Sequence, residues 1–430
     1  MIAALKRELR STLGVLRGFR GNARAVVMTE PLWGISYNLY ATYTSVYMLE
    51  LGCSSLQVGL IASIALACNM LFSIPSGHIT DRLGRRRTTL IFDLLSWSIA
   101  TLIWAAAGGI TAFIVAAAVN ALVRIVHVSW SCLFVEDTDP EQRVHVYAWT
   151  YVAGLLAGFV APLAGLLVAR FGVVRSMRGL YLFAFASMTT MFLVRNALTH
   201  ETELGKARMR AVRHYRLPEV VADYRRVALQ ILRSPTVLLA FALAILVNVQ
   251  GTLRGSFVAI LLIRALGIPA SSIALFPALN SAVMLAVFVF ALPALSRGNP
   301  VRPLLGGFAL LVLSAALLAA SPKGSYLVIA ASTVVGAVGS AIAMPFTDAL
   351  LANSVRDEDR ATSLAIVYTL LFGFSAPFGY VGGLLASVSE RLPLVLTAAM
   401  ALACLVLVAL IPRAQQAAKP VGLKRQSPQG

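Results

Sequence analysis

The feature that most constrains this chain is a succession of apolar runs, each roughly 20 residues long, the length a helix needs to cross about 30 Å of hydrocarbon. They fall near residues 27–49, 57–79, 89–109, 111–134, 146–169, 179–199, 236–263, 271–296, 303–321, 325–351, 361–387 and 393–412. A backbone in lipid must satisfy its own hydrogen bonds, which leaves helices and closed barrels. Barrel strands alternate apolar and polar residues, and these runs do not. The sequence therefore predicts an all-α membrane protein with twelve transmembrane helices. Composition agrees: 59% of residues are hydrophobic and 13% charged, against roughly a quarter charged in soluble domains.

A net charge of +18 would suit a nucleic-acid binder, but its distribution argues otherwise. Most of the 36 Lys and Arg residues fall in segments on the N-terminal side of the membrane. Arg170, Arg175, Arg178, Arg264, Lys323 and Arg391 fall on the other side, and Arg124, Arg195 and Arg254 lie in spans or at their edges. The positive-inside rule then predicts a multi-pass protein of the plasma membrane with both termini in the cytoplasm. The basic excess matches anionic lipid headgroups. The expected partners are the lipid bilayer and a small-molecule substrate, without nucleic acid, for a chain expected to be monomeric. Cys53, Cys68, Cys132 and Cys404 show no CxxC spacing, so neither a metal site nor a disulfide framework is indicated.

Residues 1–26 are not read as a signal peptide, because Lys6, Arg7, Arg10, Arg17 and Arg20 interrupt any apolar core. Ile2, Leu5, Leu9, Leu13 and Leu16 recur at helical spacing, which predicts an amphipathic helix on the inner leaflet. A disordered basic tail is the alternative. Residues 200–235 form the longest polar stretch, a cytoplasmic linker in which Leu217–Leu232 has the pattern of a surface helix. Residues 413–430 form a cytoplasmic tail.

The linker separates two six-span blocks, 27–199 and 236–412, that look duplicated. Leu51-Gly52 and Leu266-Gly267 share an offset of 215 with Gly158-Phe159-Val160-Ala161-Pro162 and Gly373-Phe374-Ser375-Ala376-Pro377. Phe134-Val135-Glu136 likewise resembles Phe346-Thr347-Asp348, and Glu141-Gln142-Arg143 resembles Glu358-Asp359-Arg360. Two pseudo-symmetric bundles around a central site are expected of a transporter this size.

Between spans 2 and 3 the chain reads Gly77-His78-Ile79-Thr80-Asp81-Arg82-Leu83-Gly84-Arg85-Arg86-Arg87. This resembles the signature loop of the major facilitator superfamily, Gly-x-x-x-Asp-Arg-x-Gly-Arg-Arg/Lys, carried here by Gly77, Asp81, Arg82, Gly84, Arg85 and Arg86. Gly77 is expected to let span 2 approach a neighbour closely, and Gly84 to make a tight turn with positive φ. The resemblance implies that Asp81 lies against the N-terminus of span 11 near Ala361–Ser363, held by the helix dipole. It implies that Arg85 reaches Glu136 at the end of span 4, and that this cluster latches the halves while the cavity faces outward. At the same offset the second half has Ser296, Arg297, Asn299 and Pro300, so the latch is expected to be asymmetric. Span 5 partly resembles the glycine motif of proton-coupled exporters: Gly154, Gly158, Pro162 and Gly165 are present, with the proline displaced. Close helix packing and a kink follow from the same residues whatever the direction of transport.

Charges inside the membrane are expensive and mark candidate sites. Arg124 is mid-span 4, with His127 one turn on and on the same face. Glu30 lies before Pro31 in span 1 and is read either as a proton-carrying group or as a span-start cap. Arg254 is inside span 7, near Asn248 and Gln250, and suits contact with an anionic substrate. Asp93 reads as structural, accepting from an arginine of the motif loop. Trp33, Tyr37, Tyr40 and Tyr47 run along span 1 at helical spacing, to line a cavity for flat or cationic solutes or simply to pack.

These features predict a secondary transporter working by alternating access. The first reading is proton-coupled, multidrug-like efflux of apolar molecules by an antiporter of the cell inner membrane, resting on Glu30, Arg124, the aromatic stripe and the partial exporter motif. The alternative is a carrier for an organic anion or polar metabolite using Arg124 and Arg254. A receptor that had lost transport would show a degraded motif loop, and this loop is intact. No Walker loop, metal cluster or nucleophile elbow appears, so neither an enzyme nor a cofactor is expected, and a proton gradient is the expected energy source.

Overall fold

The computed structural model describes residues 20–138, 140–211, 229, 235–291, 295, 301–353 and 360–417. Among them every regular element is a helix. Among the described residues eleven segments are long and apolar enough to cross a membrane, from Ser55–Leu83 to Leu392–Leu410. Span 1 completes the set of twelve. It carries Arg24 and Glu30 and is divided into Gly21–Ala41 and Thr44–Glu50, and the break falls at Thr42–Tyr43.

Spans 1 to 6 form one bundle. Spans 2, 3 and 4 are Ser55–Leu83, Arg85–Ala106 and Ile110–Val135. Span 5 runs through Pro140–Ala157 and Ala161–Phe171, and span 6 is Val173–Leu198. Spans 7 to 12 form the second bundle: Val237–Ala265, Ala270–Phe290, Val301–Ala319, Tyr326–Asn353, Arg360–Val388 and Leu392–Ala417. The turns between spans sit where the chain permits them. Ser54 and Gln57 form a reciprocal capping box at the start of span 2. Gly84 and Gly172, with φ of 85° and 74°, end spans 2 and 5, and only glycine takes that conformation without strain. The helix of span 5 tightens into a 3₁₀ turn at Gly158–Val160, just before Pro162.

Three expectations change. The motif between spans 2 and 3 is not an extended loop: Gly77–Leu83 belongs to the span 2 helix and Arg85 opens span 3, so Gly84 alone makes the turn. Among the described residues Gly77 has no neighbour that a Cβ would meet. Span 2 approaches another helix closely at Gly59, where a Cβ would collide with the carbonyl of Gly379 and lie 2.7 Å from the Cα of Gly383. Asp93 takes its partner from span 6, not from the motif.

The bundles meet along two pairs of spans. Span 2 packs on span 11, and small residues bring the backbones together. Ser63 Oγ donates to the carbonyl of Ala376 at 2.5 Å and accepts from the Tyr380 N–H at 2.7 Å. Span 5 packs on span 8, with Gly158 against Ser281 and Gly165 against the carbonyl of Ser271. Tyr43, at the break in span 1, donates to the carbonyl of Ala270 at 2.8 Å. These contacts join the halves from mid-span to the end away from the chain termini. Gly158 and Gly373, equivalent by the repeat, occupy equivalent places, since Gly373 faces Met70 across the other pair.

Residues 1–19, most of the predicted linker helix (217–228 and 230–232), the Ser296, Arg297, Asn299 and Pro300 motif remnant, Glu358-Asp359 and residues 418–430 lie outside the described residues. The first part of the linker is described as far as Ala211, and it contains a helix at Glu203–Ala211.

Candidate functional site

At the end of the bundle that carries the chain termini, the motif residues form a closed ionic cluster. Arg85 is 3% exposed, too buried for bulk water to replace its partners. It pairs with Asp81 at 2.8 Å and with Glu136 at 3.0 Å. Thr202, from the start of the linker, also donates to Glu136. The N–H groups of Arg85 and Arg86, at the open start of span 3, donate to the Glu201 carboxylate at 2.9 and 3.0 Å. A carboxylate there satisfies orphan donors and meets the positive end of the helix dipole. Arg86 Nε donates to the carbonyl of Asn196 at 3.0 Å. Glu201 escaped the sequence reading because no capping pattern connects residues so far apart in the chain. The side chains at Ala361–Ser363, where the family places Asp81, lie outside the described residues. Beside this cluster His200 Nε2 is 3.3 Å from Asp137, whose carboxyl burial pushes up against the opposing pull of that histidine.

Inside the first bundle, Asp93 of span 3 and Arg195 of span 6 form an ion pair, with 2% and 4% exposure. Glu30 lies within the electrostatic reach of both. Just beyond Asp93 the span widens into a π-helical turn at Leu94–Ile99, a feature often found at functional positions. Trp97 of that turn lies edge-on to Trp33 and Tyr37, which stack on each other with centroids 4.9 Å apart. Tyr40 and Tyr47 face inward with Trp104 and Tyr181. Of the span 1 aromatics singled out from sequence, Tyr37 reaches the internal cavity described below, and Tyr40 is buried at 3% exposure.

Arg124 and His127 face the other bundle. The Arg124 guanidinium lies over the ring of Phe372 in span 11, 4.8 Å from its centroid, and His127 meets Tyr368 edge-on. Arg124 Nε is buried with no hydrogen-bond partner among the described residues.

A cavity of about 560 Å³ lies mainly within the second bundle, a size suited to a small organic ligand. Spans 7, 8, 9, 10 and 12 wall it, and span 1 closes one side with Tyr37, Ala41 and Thr42 at its break. Arg254 is its one charged lining residue among the described residues. The guanidinium passes 3.4 Å from where a Cβ on Gly336 would be, so the missing side chain makes its place. Among the described residues it has neither an ion pair nor a hydrogen bond. Gln250 lines the same cavity, whereas Asn248 does not, and its Oδ1 is buried without a partner among the described residues.

Two helical bundles that meet along paired spans, with charged and polar groups held inside the bilayer region, are the architecture of a secondary transporter, not an enzyme. The chain belongs to the Major Facilitator Superfamily, whose description matches residues 32–327. No curated protein matches it. Solved structures of similar fold include a POT family transporter in complex with a thioalcohol-conjugated peptide, at 14% identity and TM-score 0.71, covering 93% of this chain and 99% of that one. The nucleoside transporter NupG shows 14% identity and TM-score 0.66, with 92% and 100% covered. The human organic anion transporter MFSD10 (TETRAN) shows 16% identity and TM-score 0.65, with 90% and 98% covered.

Proposed function

We propose that this transporter carries a small organic anion, held at Arg254. The observation that carries this reading is a half-buried guanidinium that lines a cavity within the bundle and has no counter-charge among the described residues. An ion taken out of water costs several kcal/mol unless it is paired, and a substrate anion supplies the missing pair. The test is a thermal-shift screen of the purified full-length protein with carboxylates, phosphate esters and lipophilic cations. Stabilisation by anions, lost in Arg254→Gln, is the expected result. Stabilisation by lipophilic cations alone overturns it in favour of the apolar-export reading.

The second reading concerns coupling. Glu30, beside the Asp93–Arg195 pair and one turn from Trp33, supports proton coupling, and the partial glycine motif of span 5 is what favours export by antiport. Proteoliposomes loaded with a pH-sensitive dye read substrate-driven proton movement directly. If Glu30→Gln leaves that movement intact, Glu30 is not the proton carrier. The excess of Lys and Arg at the end bearing the termini supports placing that end in the cytoplasm of a cell's plasma membrane.

A further inference from the structure

The donors facing the cavity narrow what the anion is, an inference that rests on Arg254 being the substrate site. Most hydroxyls on the wall are already committed. Ser314 and Ser332 each donate to the other's backbone carbonyl, at 2.9 and 2.8 Å. Thr333 and Thr397 donate back to Ile329 and Pro393 of their own helices. Toward a ligand these four side chains present lone pairs, which repel an anion.

Two amides are held differently. Gln250 Nε2 points at Cys404 Sγ at 3.4 Å, and Asn280 Nδ2 at Met284 Sδ at 3.3 Å. Neutral sulfur is a weak acceptor, so a carboxylate oxygen displaces it at little cost. Gln250 stands one helical turn from Arg254 on the same face of span 7, and Asn280 stands across from it on span 8. The nitrogen donors are therefore one guanidinium and two loosely held amides, and the hydroxyls of Tyr37 and Thr42 line the cavity beside them. No second Lys, Arg or His lines the cavity among the described residues.

That set carries a single positive charge, which a single carboxylate balances. A phosphate monoester brings a second negative charge, and no second cation lines the cavity among the described residues. An unpaired charge in such a place is strongly unfavourable. The apolar part of the wall includes Leu262, Ile273, Phe276, Leu311 and Leu394, with Tyr37 stacked on Trp33 at the span 1 side. We infer that the substrate is a monocarboxylate with a flat apolar body, its charged end on Arg254, Gln250 and Asn280 and its body between Phe276 and Tyr37.

The experiment holds the body constant and changes the charged end. The full-length protein in detergent is titrated at about pH 8 with phenylacetate, phenyl phosphate, phenylacetamide and acetate, with binding read by calorimetry and by thermal shift. Phenyl phosphate carries two charges there. Phenylacetate is expected to bind saturably, with phenyl phosphate, phenylacetamide and acetate each weaker by about tenfold or more. Gln250→Leu and Asn280→Leu are each expected to weaken phenylacetate by about three- to tenfold, with the melting temperature of the unliganded protein held. Phenyl phosphate binding as tightly as phenylacetate overturns the monocarboxylate inference and leaves the anion reading standing. Binding by none of these anions, or binding unchanged in Arg254→Gln, overturns both. Phenylacetate binding unchanged in the two leucine variants removes the amides from the site.

Discussion

Arg195 and Arg254 are two guanidinium groups inside the spans of one chain, and the fold treats them oppositely. Arg195 meets Asp93 across spans 3 and 6, and the pair is sealed at 4% and 2% exposure. Arg254 projects into a cavity with hydroxyls that are bonded elsewhere and amides parked on sulfur. A sealed pair has balanced its charge and has nothing left to offer a ligand. An open cation has not, and the protein bears that imbalance until something anionic arrives. Buried charge alone therefore does not mark a binding site; buried charge with an empty side does.

The sharpest way to break this comparison is to delete one member of the sealed pair. Asp93→Ala leaves Arg195 buried without its ion-pair partner, and it is expected to cost roughly 3–5 kcal/mol of stability. Asp93→Asn keeps the volume and separates the charge effect from cavity formation. Chemical unfolding in detergent, followed by intrinsic tryptophan fluorescence, gives the difference. A cost under about 1 kcal/mol would put the pair in contact with water and remove the contrast. The opposite sign is expected at the open site. Arg254→Gln removes an unbalanced charge and is expected to raise the stability of the unliganded protein by about 1–2 kcal/mol, while anion binding falls at least about thirtyfold. A loss of unliganded stability comparable to that of Asp93→Ala would mean that Arg254 is already balanced.

The expected energies also show what could be read from sequence alone. The spans and the duplication were legible because bilayer thickness dictates run length and because a repeat copies residues at a fixed offset. Gly84 was legible because the motif puts a glycine where a tight turn with positive φ is needed. The pairing of Arg195 with Asp93 was not, since the two residues lie on spans far apart in the chain and the arginine-rich motif just before Asp93 offered a nearer partner. The sealing of Tyr40 was hidden for a similar reason: helical spacing shows that span 1 aromatics share a face, but not whether that face meets a cavity or Trp104 and Tyr181. The place of Arg254 has a faint sequence trace. By the offset that relates Phe134 to Phe346, Gly336 stands where the first half has Arg124. The second half gives up the span 4 arginine, and the space receives the arginine of span 7.

Arg124 lies between the two extremes, and it supplies the smallest expected effect. Its guanidinium has no carboxylate among the described residues, but it lies over Phe372 of the opposite bundle. A cation over a ring face gains about 0.5–2 kcal/mol, more as water is excluded. The contact crosses between the halves, so it exists only while spans 4 and 11 are apposed, and alternating access must break it. Phe372→Leu keeps most of the apolar volume and removes the ring. It is expected to weaken this arrangement by about 1 kcal/mol, which is about a fivefold shift in a two-state population. Distance measurements between spin labels on spans 4 and 11 read that population directly. If Phe372→Leu leaves the distance distribution unchanged while Phe372→Trp also does, the arginine gains nothing from the ring. Arg124 would then belong with Arg254, as a second cation left open for a ligand.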